Sequence, residues 1–173
     1  ILLGNPALLM RDEYRELWGD IPIVLCSEEN YLGPQETYTK KQAIATADRT
    51  PLTQLADPYN MVLLYSNLYL DENIQLICHI VPEIKKFIFI GDARQINQTN
   101  NLDIRNKLKK THPNVEYQFI TPQDMTTNQL LDSLYFVDPK TTGVLFSSWF
   151  YKTTFAGNTS LVSNAHKLIG TTA

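Results

Sequence analysis

The chain has 173 residues, of which 43% are hydrophobic and 19% are charged, and its formal net charge is −3. This composition supports a domain with a substantial core and excludes a disordered tail or a coiled coil. The mild acidity argues against nucleic acid as a partner, because proteins that bind it usually carry a basic stripe.

The cysteines and histidines give no sign of a metal or redox site. Cys26 and Cys78 lie in apolar runs, which favours buried, unreactive thiols, although a disulfide stays open as an alternative. His79, His112 and His166 are far apart in sequence and lack partners at ligand spacing. We therefore predict no metal and no other cofactor.

The first part of the chain predicts a strand, a helix and a second strand. Residues 1–3 have the character of a strand end, and residues 5–18 that of a helix with Asn5 as N-cap and Pro6 at its first position. Residues 21–26, IPIVLC, predict a buried strand.

The connection that follows differs in kind. Residues 27–59 are polar and rich in proline, with only a weak helical pattern near residues 40–47. Long segments of this type are usually functional, so we expect a crossover or a lid-like loop.

From residue 60 onwards, helices and strands alternate. The first predicted element is a long helix over residues 60–80, which must end before Pro82. Thr126 and Gln129 form a capping-box pattern at the start of a later helix. The remaining predicted elements are strand 86–90, helix 100–110, strand 115–120, helix 127–137, strand 143–148 and helix 161–169. Such alternation predicts an α/β fold, a three-layer parallel sheet flanked by helices.

No membrane span is predicted, because polar residues interrupt the most apolar window, residues 61–81. The chain begins without methionine, in residues that the pattern predicts to be the end of a strand. We therefore expect it to be a piece of a longer protein.

The carboxyl ends of parallel strands lie along one edge, where α/β proteins bind ligands. Here that edge would carry polar and aromatic residues without a nucleophile and its base. Ser147 and Ser148 lack the G-x-S-x-G context of a hydrolase elbow, and the stretch after strand 86–90 has too few glycines for a dinucleotide site. No catalytic residue is predicted.

A phosphoacceptor site is a further alternative. Asp92, Thr121 and Lys152 resemble the acid, hydroxyl and lysine of response-regulator receivers, with Glu28 and Glu29 as the acid pair. The pattern fails because the acids lie far upstream and Lys152 lies beyond the strand end. Glu28 and Glu29 are better explained as solvated turn residues.

The strand-end residues favour binding of a small polar molecule, such as a sugar or another metabolite. Charged and amide side chains would orient it, and an aromatic ring would stack on it. For Trp149 and Tyr151 the alternative is packing beneath a loop. The predicted ligand-binding residues are Asn30, Tyr31, Asp92, Arg94, Ser148, Trp149 and Tyr151.

These residues sit within motifs that resemble a known family. The strings KKFIFIGDARQ, LLDSL and GVLFSSWFY, in this order, are similar to sensor regions of bacterial hybrid histidine kinases that carry a periplasmic-binding-protein-like module. ILLGNPAL and GDIPIVLCSEENY resemble the close of the preceding lobe in such proteins. The resemblance covers essentially the whole chain.

The resemblance implies a type I periplasmic-binding-protein-like, Rossmann-like fold, with ligand bound between two lobes. Residues 1–59 would close the first lobe and contain the crossover, and residues 60–173 would form the second. It also implies a non-catalytic, extracytoplasmic sensor domain of a membrane-anchored kinase, located in the periplasm. Kinase activity would then belong to another part of the parent protein.

Three other functions stay open at this point. One is a free substrate-binding protein of an uptake system, and another is a fragment of a cytoplasmic α/β enzyme such as a glycosyltransferase. The third is a module that no longer binds ligand and contributes contacts to a homodimer.

Overall fold

The computed structural model describes residues 1–66, 68–149, 151–152 and 159–160, the last two pairs by their backbone alone. The chain divides into two compact units, Ile1–Tyr69 and Leu70–Ala173. The predicted helix over residues 161–169 lies outside the described residues.

The first unit is built on a three-stranded parallel sheet in the order β1-β2-β5. The predicted helix over residues 5–18 begins as a 3-10 helix over Asn5–Met10, whose N-cap is Gly4 rather than Asn5, and continues as α1 (Arg11–Trp18). Leu8, Leu25, Leu32 and Leu52 form the buried core of this unit. Its helices and strands are β1 (Leu2–Leu3), α1 (Arg11–Trp18), β2 (Ile23–Ser27), β3 (Tyr31–Leu32), α2 (Gln35–Thr39), β4 (Thr50–Pro51), α3 (Leu52–Ala56) and β5 (Met61–Tyr65).

The predicted long helix over residues 60–80 is wrong in its first part. Met61–Tyr65 is strand β5, which pairs with β2 along its whole length, and the helix begins only at Leu70. Tyr69 has a φ of 45°, a left-handed conformation that a continuous α-helix does not allow. The units therefore divide after Tyr69 rather than after residue 59.

The connection between β2 and β5 is more ordered than predicted. The helical pattern near residues 40–47 does not form the expected helix, since α2 spans Gln35–Thr39 and only Thr46–Asp48 makes a short 3-10 turn. The antiparallel pair of β3 and β4 also lies in this connection.

The second unit contains a parallel sheet in the order β7-β6-β8. β9 and β10 form a separate antiparallel pair. The predicted strand 86–90 and the capping box of Thr126 and Gln129 are confirmed. The elements are α4 (Leu70–Ile80), β6 (Lys86–Ile90), α5 (Gln95–Thr111), β7 (Glu116–Ile120), α6 (Thr127–Tyr135), β8 (Thr142–Phe146), β9 (Tyr151–Lys152) and β10 (Thr159–Ser160).

Side chains of the central strand β6 alternate between two helical layers. Phe87 and Phe89 pack in a cluster with residues of α4 and α5, whereas Ile88 and Ile90 pack with residues of α6. This alternation follows from the two-residue period of a strand. The α/β class, with parallel sheets flanked by helices, is therefore confirmed.

The order of the strands creates a switch point at the carboxyl ends of β6 and β8. The chain leaves β6 through α5 to β7 on one side, then returns through α6 to β8 on the other side of β6. Crevices at such points are where open α/β sheets bind ligands.

We expect Gly143→Ala to destabilise the second unit by about 1–3 kcal/mol through overpacking. A Cβ at Gly143 would lie 2.3 Å from Cγ2 of Ile77 and 2.9 Å from Cδ1 of Ile84. Urea unfolding measures the loss. In an Ile77→Ala background the same change should cost clearly less, and an equal cost in both backgrounds would contradict the packing argument.

Candidate functional site

A buried carboxylate lies at the carboxyl end of β6. Asp92 is only 2% exposed. Its Oδ1 accepts hydrogen bonds from the Arg94 backbone N–H at 2.8 Å and from Asn97 Nδ2 at 2.9 Å. Its Oδ2 accepts from Ser148 Oγ at 2.8 Å. Asp92 thus connects the end of β6 to the start of α5 and to the segment after β8.

Arg94 neutralises this carboxylate. Its Nε donates to Asp92 Oδ1 at 3.1 Å and to Oδ2 at 2.9 Å. The side chain of Arg94 is 45% exposed, whereas that of Asp92 is 3% exposed. Ionised partners make these hydrogen bonds stronger than neutral ones. The pair therefore holds the half-exposed Arg94 side chain in a defined place at the edge of the sheet.

Asn97 is the centre of the cluster and was missed by the sequence analysis. It is fully buried, and its Nδ2 donates to Asp92 and, at 2.8 Å, to Ser148 Oγ. Its Oδ1 accepts from Ser147 Oγ at 2.8 Å. We name this group of Asp92, Arg94, Asn97, Ser147 and Ser148 the switch-point network.

Gly91 allows the network to form. A Cβ at this position would lie 3.0 Å from Cγ of Asn97 and 3.2 Å from Cε2 of Phe119. The absence of a Cβ at Gly91 therefore lets the Asn97 side chain pack closely against the end of β6. The Gly91 N–H also donates to the Ile120 carbonyl at 3.1 Å, which extends the sheet to this point.

The end of β7 carries a separate, local arrangement. The backbone N–H and the hydroxyl of Thr121 both donate to Asp124 Oδ2 at 2.8 Å. Thr121 is 7% exposed. Since its hydroxyl proton is given to Asp124, Thr121 serves the turn after β7. The side chain of Lys152, the third member of the phosphoacceptor pattern, is outside the described residues.

Trp149 lies in the core. It is 4% exposed and packs with Leu130 and Leu134 of α6, and its Nε1–H donates to Thr127 Oγ1 at 3.0 Å. This is the packing alternative, so the ring does not offer an open face to a ligand. Tyr151 lies in β9, and its side chain is outside the described residues.

The other two predicted residues lie in the first unit. Asn30 is exposed, and its carbonyl accepts from the Leu52 N–H at 2.9 Å. The Tyr31 hydroxyl donates to Glu29 Oε1 at 2.6 Å, and the Arg49 guanidinium carbon lies 4.7 Å from the centre of the Tyr31 ring. Tyr31 is thus fixed by its own unit.

Glu29 is not the solvated turn residue that the sequence suggested. It is 7% exposed, and Asn5 Nδ2 donates to its Oε2 at 3.4 Å. Ser27 Oγ donates to the Glu29 carbonyl at 2.6 Å and accepts from its N–H at 2.9 Å. Glu28, by contrast, is exposed. The hydrogen bonds of Glu29 explain its burial, because a buried carboxylate needs donors.

Burial also changes the ionisation of a tyrosine in the first unit. It raises the pKa of Tyr38 to about 12, although the hydrogen bond from the Gly33 N–H, at 2.9 Å, acts in the opposite direction. The phenol is therefore neutral at physiological pH and serves as an acceptor for the backbone.

Neither cysteine forms a disulfide, and both are partly buried. Within the described ranges, no cluster of three or more His, Cys, Asp or Glu residues is arranged to hold a metal ion. The described helices also include none that is both long and apolar enough to cross a bilayer.

The structure thus brings together only some of the predicted strand-end residues. Asp92, Arg94 and Ser148 lie together in one network, Trp149 lies in the core, and Asn97 joins the group unforeseen. Comparison with protein-family models, curated proteins and solved structures finds no match to this chain.

Proposed function

We propose that the second unit binds a small polar molecule at the carboxyl ends of β6 and β8. The observation that carries this proposal is the switch-point network, which holds the half-exposed Arg94 side chain and the hydroxyls of Ser147 and Ser148 beside the buried Asp92 and Asn97. Polar groups with fixed orientation at a switch point are typical of small-molecule sites in α/β proteins.

The residues of the switch-point network have different roles in this site. Asp92 is buried with both oxygens occupied, so it orients its neighbours rather than meeting the ligand directly. Arg94, Ser147 and Ser148 are the residues proposed to contact the ligand. Tyr151 remains a predicted contact of this site.

The site supports binding better than catalysis. The hydroxyl proton of Ser148 is given to Asp92 and that of Ser147 to Asn97. A serine nucleophile needs a neighbouring base that can take its proton and transfer it onward, and the paired, buried Asp92 is poorly placed for that. The domain is therefore proposed to be non-catalytic.

We further propose that the domain is the extracytoplasmic sensor of a two-component histidine kinase, with a type I periplasmic-binding-protein-like fold. The order and spacing of its motifs support this proposal, as does the parallel α/β architecture. A ligand would act by shifting a conformational equilibrium, by no more than its difference in affinity for the two states.

Thermal unfolding of the 173-residue chain against sugars, amino acids and nucleotides tests the binding proposal. A saturable rise in the midpoint with one compound is the expected result, because that compound binds the folded state. Stabilisation by nucleotides alone would favour the enzyme alternative. No stabilisation by any compound would contradict the proposal.

We expect Arg94→Ala to weaken binding of the stabilising compound by about tenfold or more, since hydrogen bonds to charged groups are strong. Isothermal titration measures the loss. Arg105→Ala is the control, because Arg105 is an exposed arginine on helix α5, which begins directly after Arg94. Equal affinities of the two variants would show that Arg94 takes no part in binding.

A further inference from the structure

The hydrogen bonds of the switch-point network have directions that follow from one another. Asp92 is ion-paired with Arg94, and a carboxylate only accepts hydrogen bonds. The Asn97 group that lies 2.9 Å from Asp92 Oδ1 must therefore be its NH₂ group. The opposite orientation of the amide would place two acceptors against each other.

This orientation decides what Ser147 can do. With its NH₂ group turned to Asp92 and Ser148, Asn97 presents Oδ1 to Ser147 Oγ at 2.8 Å. The Ser147 hydroxyl must donate its single proton there. If it rotated away, the Oδ1 acceptor of the fully buried Asn97 would lose this hydrogen bond, which is costly.

Ser147 is nevertheless exposed and lies directly after β8, at the switch point. Its backbone N–H is engaged with the Ile90 carbonyl at 2.9 Å. What the hydroxyl offers outward is therefore lone pairs only. The same logic applies to Ser148, whose proton is given to Asp92.

We infer that Ser147 determines specificity in the proposed site by acting solely as a hydrogen-bond acceptor. This inference rests on the proposed binding function. It means that the ligand presents a hydroxyl or amine hydrogen to Ser147, as a polyol, sugar or amino compound does. Carboxylate, phosphate and carbonyl oxygens are disfavoured next to Ser147, because each would place an acceptor against the lone pairs of Ser147 Oγ.

Analogues of the stabilising compound test this inference. Single deoxy and deoxyfluoro analogues remove one hydroxyl donor each, and the fluorine keeps a weak acceptor in its place. At the position that meets Ser147, the deoxy analogue should lose affinity by about threefold to tenfold, and the deoxyfluoro analogue should lose at least as much because its fluorine meets another acceptor. In Ser147→Ala that position should no longer matter, so the analogues should bind as well as the parent compound.

Asn97→Leu supplies a second readout. It removes the acceptor that holds the Ser147 proton, so Ser147 gains the freedom to donate, and the deoxyfluoro analogue should recover affinity relative to the deoxy analogue. Ser133→Ala is the matched control, since Ser133 is exposed on α6 and donates only to the Gln129 carbonyl, at 2.7 Å.

The outcomes separate the inference from the proposed function. If a compound binds but its deoxyfluoro analogue keeps affinity where the deoxy analogue loses it, Ser147 donates and the inference is wrong while the site stands. If no compound in the panel binds, the proposed function fails, and the inference fails with it.

Discussion

Asp92→Ala is expected to lower the free energy of unfolding of the second unit by about 2–4 kcal/mol, because it removes the shared acceptor of a buried network. The substitution leaves Asn97 Nδ2 and Ser148 Oγ without the partner that they contact at 2.9 and 2.8 Å. Urea unfolding followed by circular dichroism measures the change. Arg94 adds little to the loss because its side chain is 45% exposed and can be hydrated.

Two further variants sharpen this result. Asp92→Asn keeps the shape but offers an NH₂ group where an acceptor is needed, so part of the loss should remain. Asp138→Ala is the matched control: Asp138 is exposed and accepts hydrogen bonds only within its own turn, from Lys140 N and Thr141 Oγ1. A loss at Asp92 no greater than at Asp138 would show that the network does not stabilise the unit.

Asn97→Asp is expected to make stability depend strongly on pH. The new carboxyl would lie about where Nδ2 now lies, 2.9 Å from Asp92 Oδ1, in a fully buried position. Burial and the neighbouring carboxylate would both raise its folded-state pKa above the unfolded value of about 3.9. The folded protein then binds the extra proton more tightly than the unfolded chain does.

The sign of the effect follows from this difference. The variant should come closest to the parent chain below about pH 4, where the new carboxyl is protonated in both states. Its deficit should grow as the pH rises towards the raised pKa, to about 3 kcal/mol or more at pH 7.5. Unfolding of both proteins across this pH range measures the deficit.

Asn106→Asp is the control for the Asn97 experiment, because Asn106 is exposed on the same helix. Its stability should follow that of the parent chain at every pH. A deficit of Asn97→Asp that does not vary with pH would contradict the contact between Asn97 and Asp92.

The elements that sequence predicted best are those that bury a continuous apolar run or one apolar face. Strand 86–90 was identified because an apolar run ends at Gly91 and Asp92, and α6 because it combines a capping box with an apolar face. The carboxyl end of a parallel strand is also a place that the pattern alone marks for function. Asp92, Arg94 and Ser148 are predicted ligand contacts for that reason, and the structure brings them together.

The errors of the sequence-based prediction have physical causes. The sequence predicts Met61–Tyr65 as the start of a helix, because an apolar run does not itself distinguish a helix from a strand. Pairing with β2 makes this segment a strand. Asn97 was missed because the first turns of α5 bury polar residues, among them Asn97 and Thr99. An apolar period cannot reveal such a turn. The one signal for Asn97 in the sequence was its position five residues after the strand-end acid Asp92.

Trp149, which follows β8, shows a further limit of prediction from sequence. The sequence predicts that Trp149 contacts the ligand, because it closely follows the buried strand 143–148. The chain leaves β8 at Phe146, however, and the strand pattern does not say which way a ring beyond the strand turns. Its indole N–H found a partner in Thr127, a long-range contact that local sequence does not encode.

The most direct test of the central claim is a titration of the ¹⁵N-labelled chain, followed by amide chemical shifts, with the compound that raises the unfolding midpoint. We expect saturable shifts that concentrate at residues 91–97 and 147–149, which form the edge at β6 and β8. Saturable shifts elsewhere in the chain, with this edge unchanged, would contradict it.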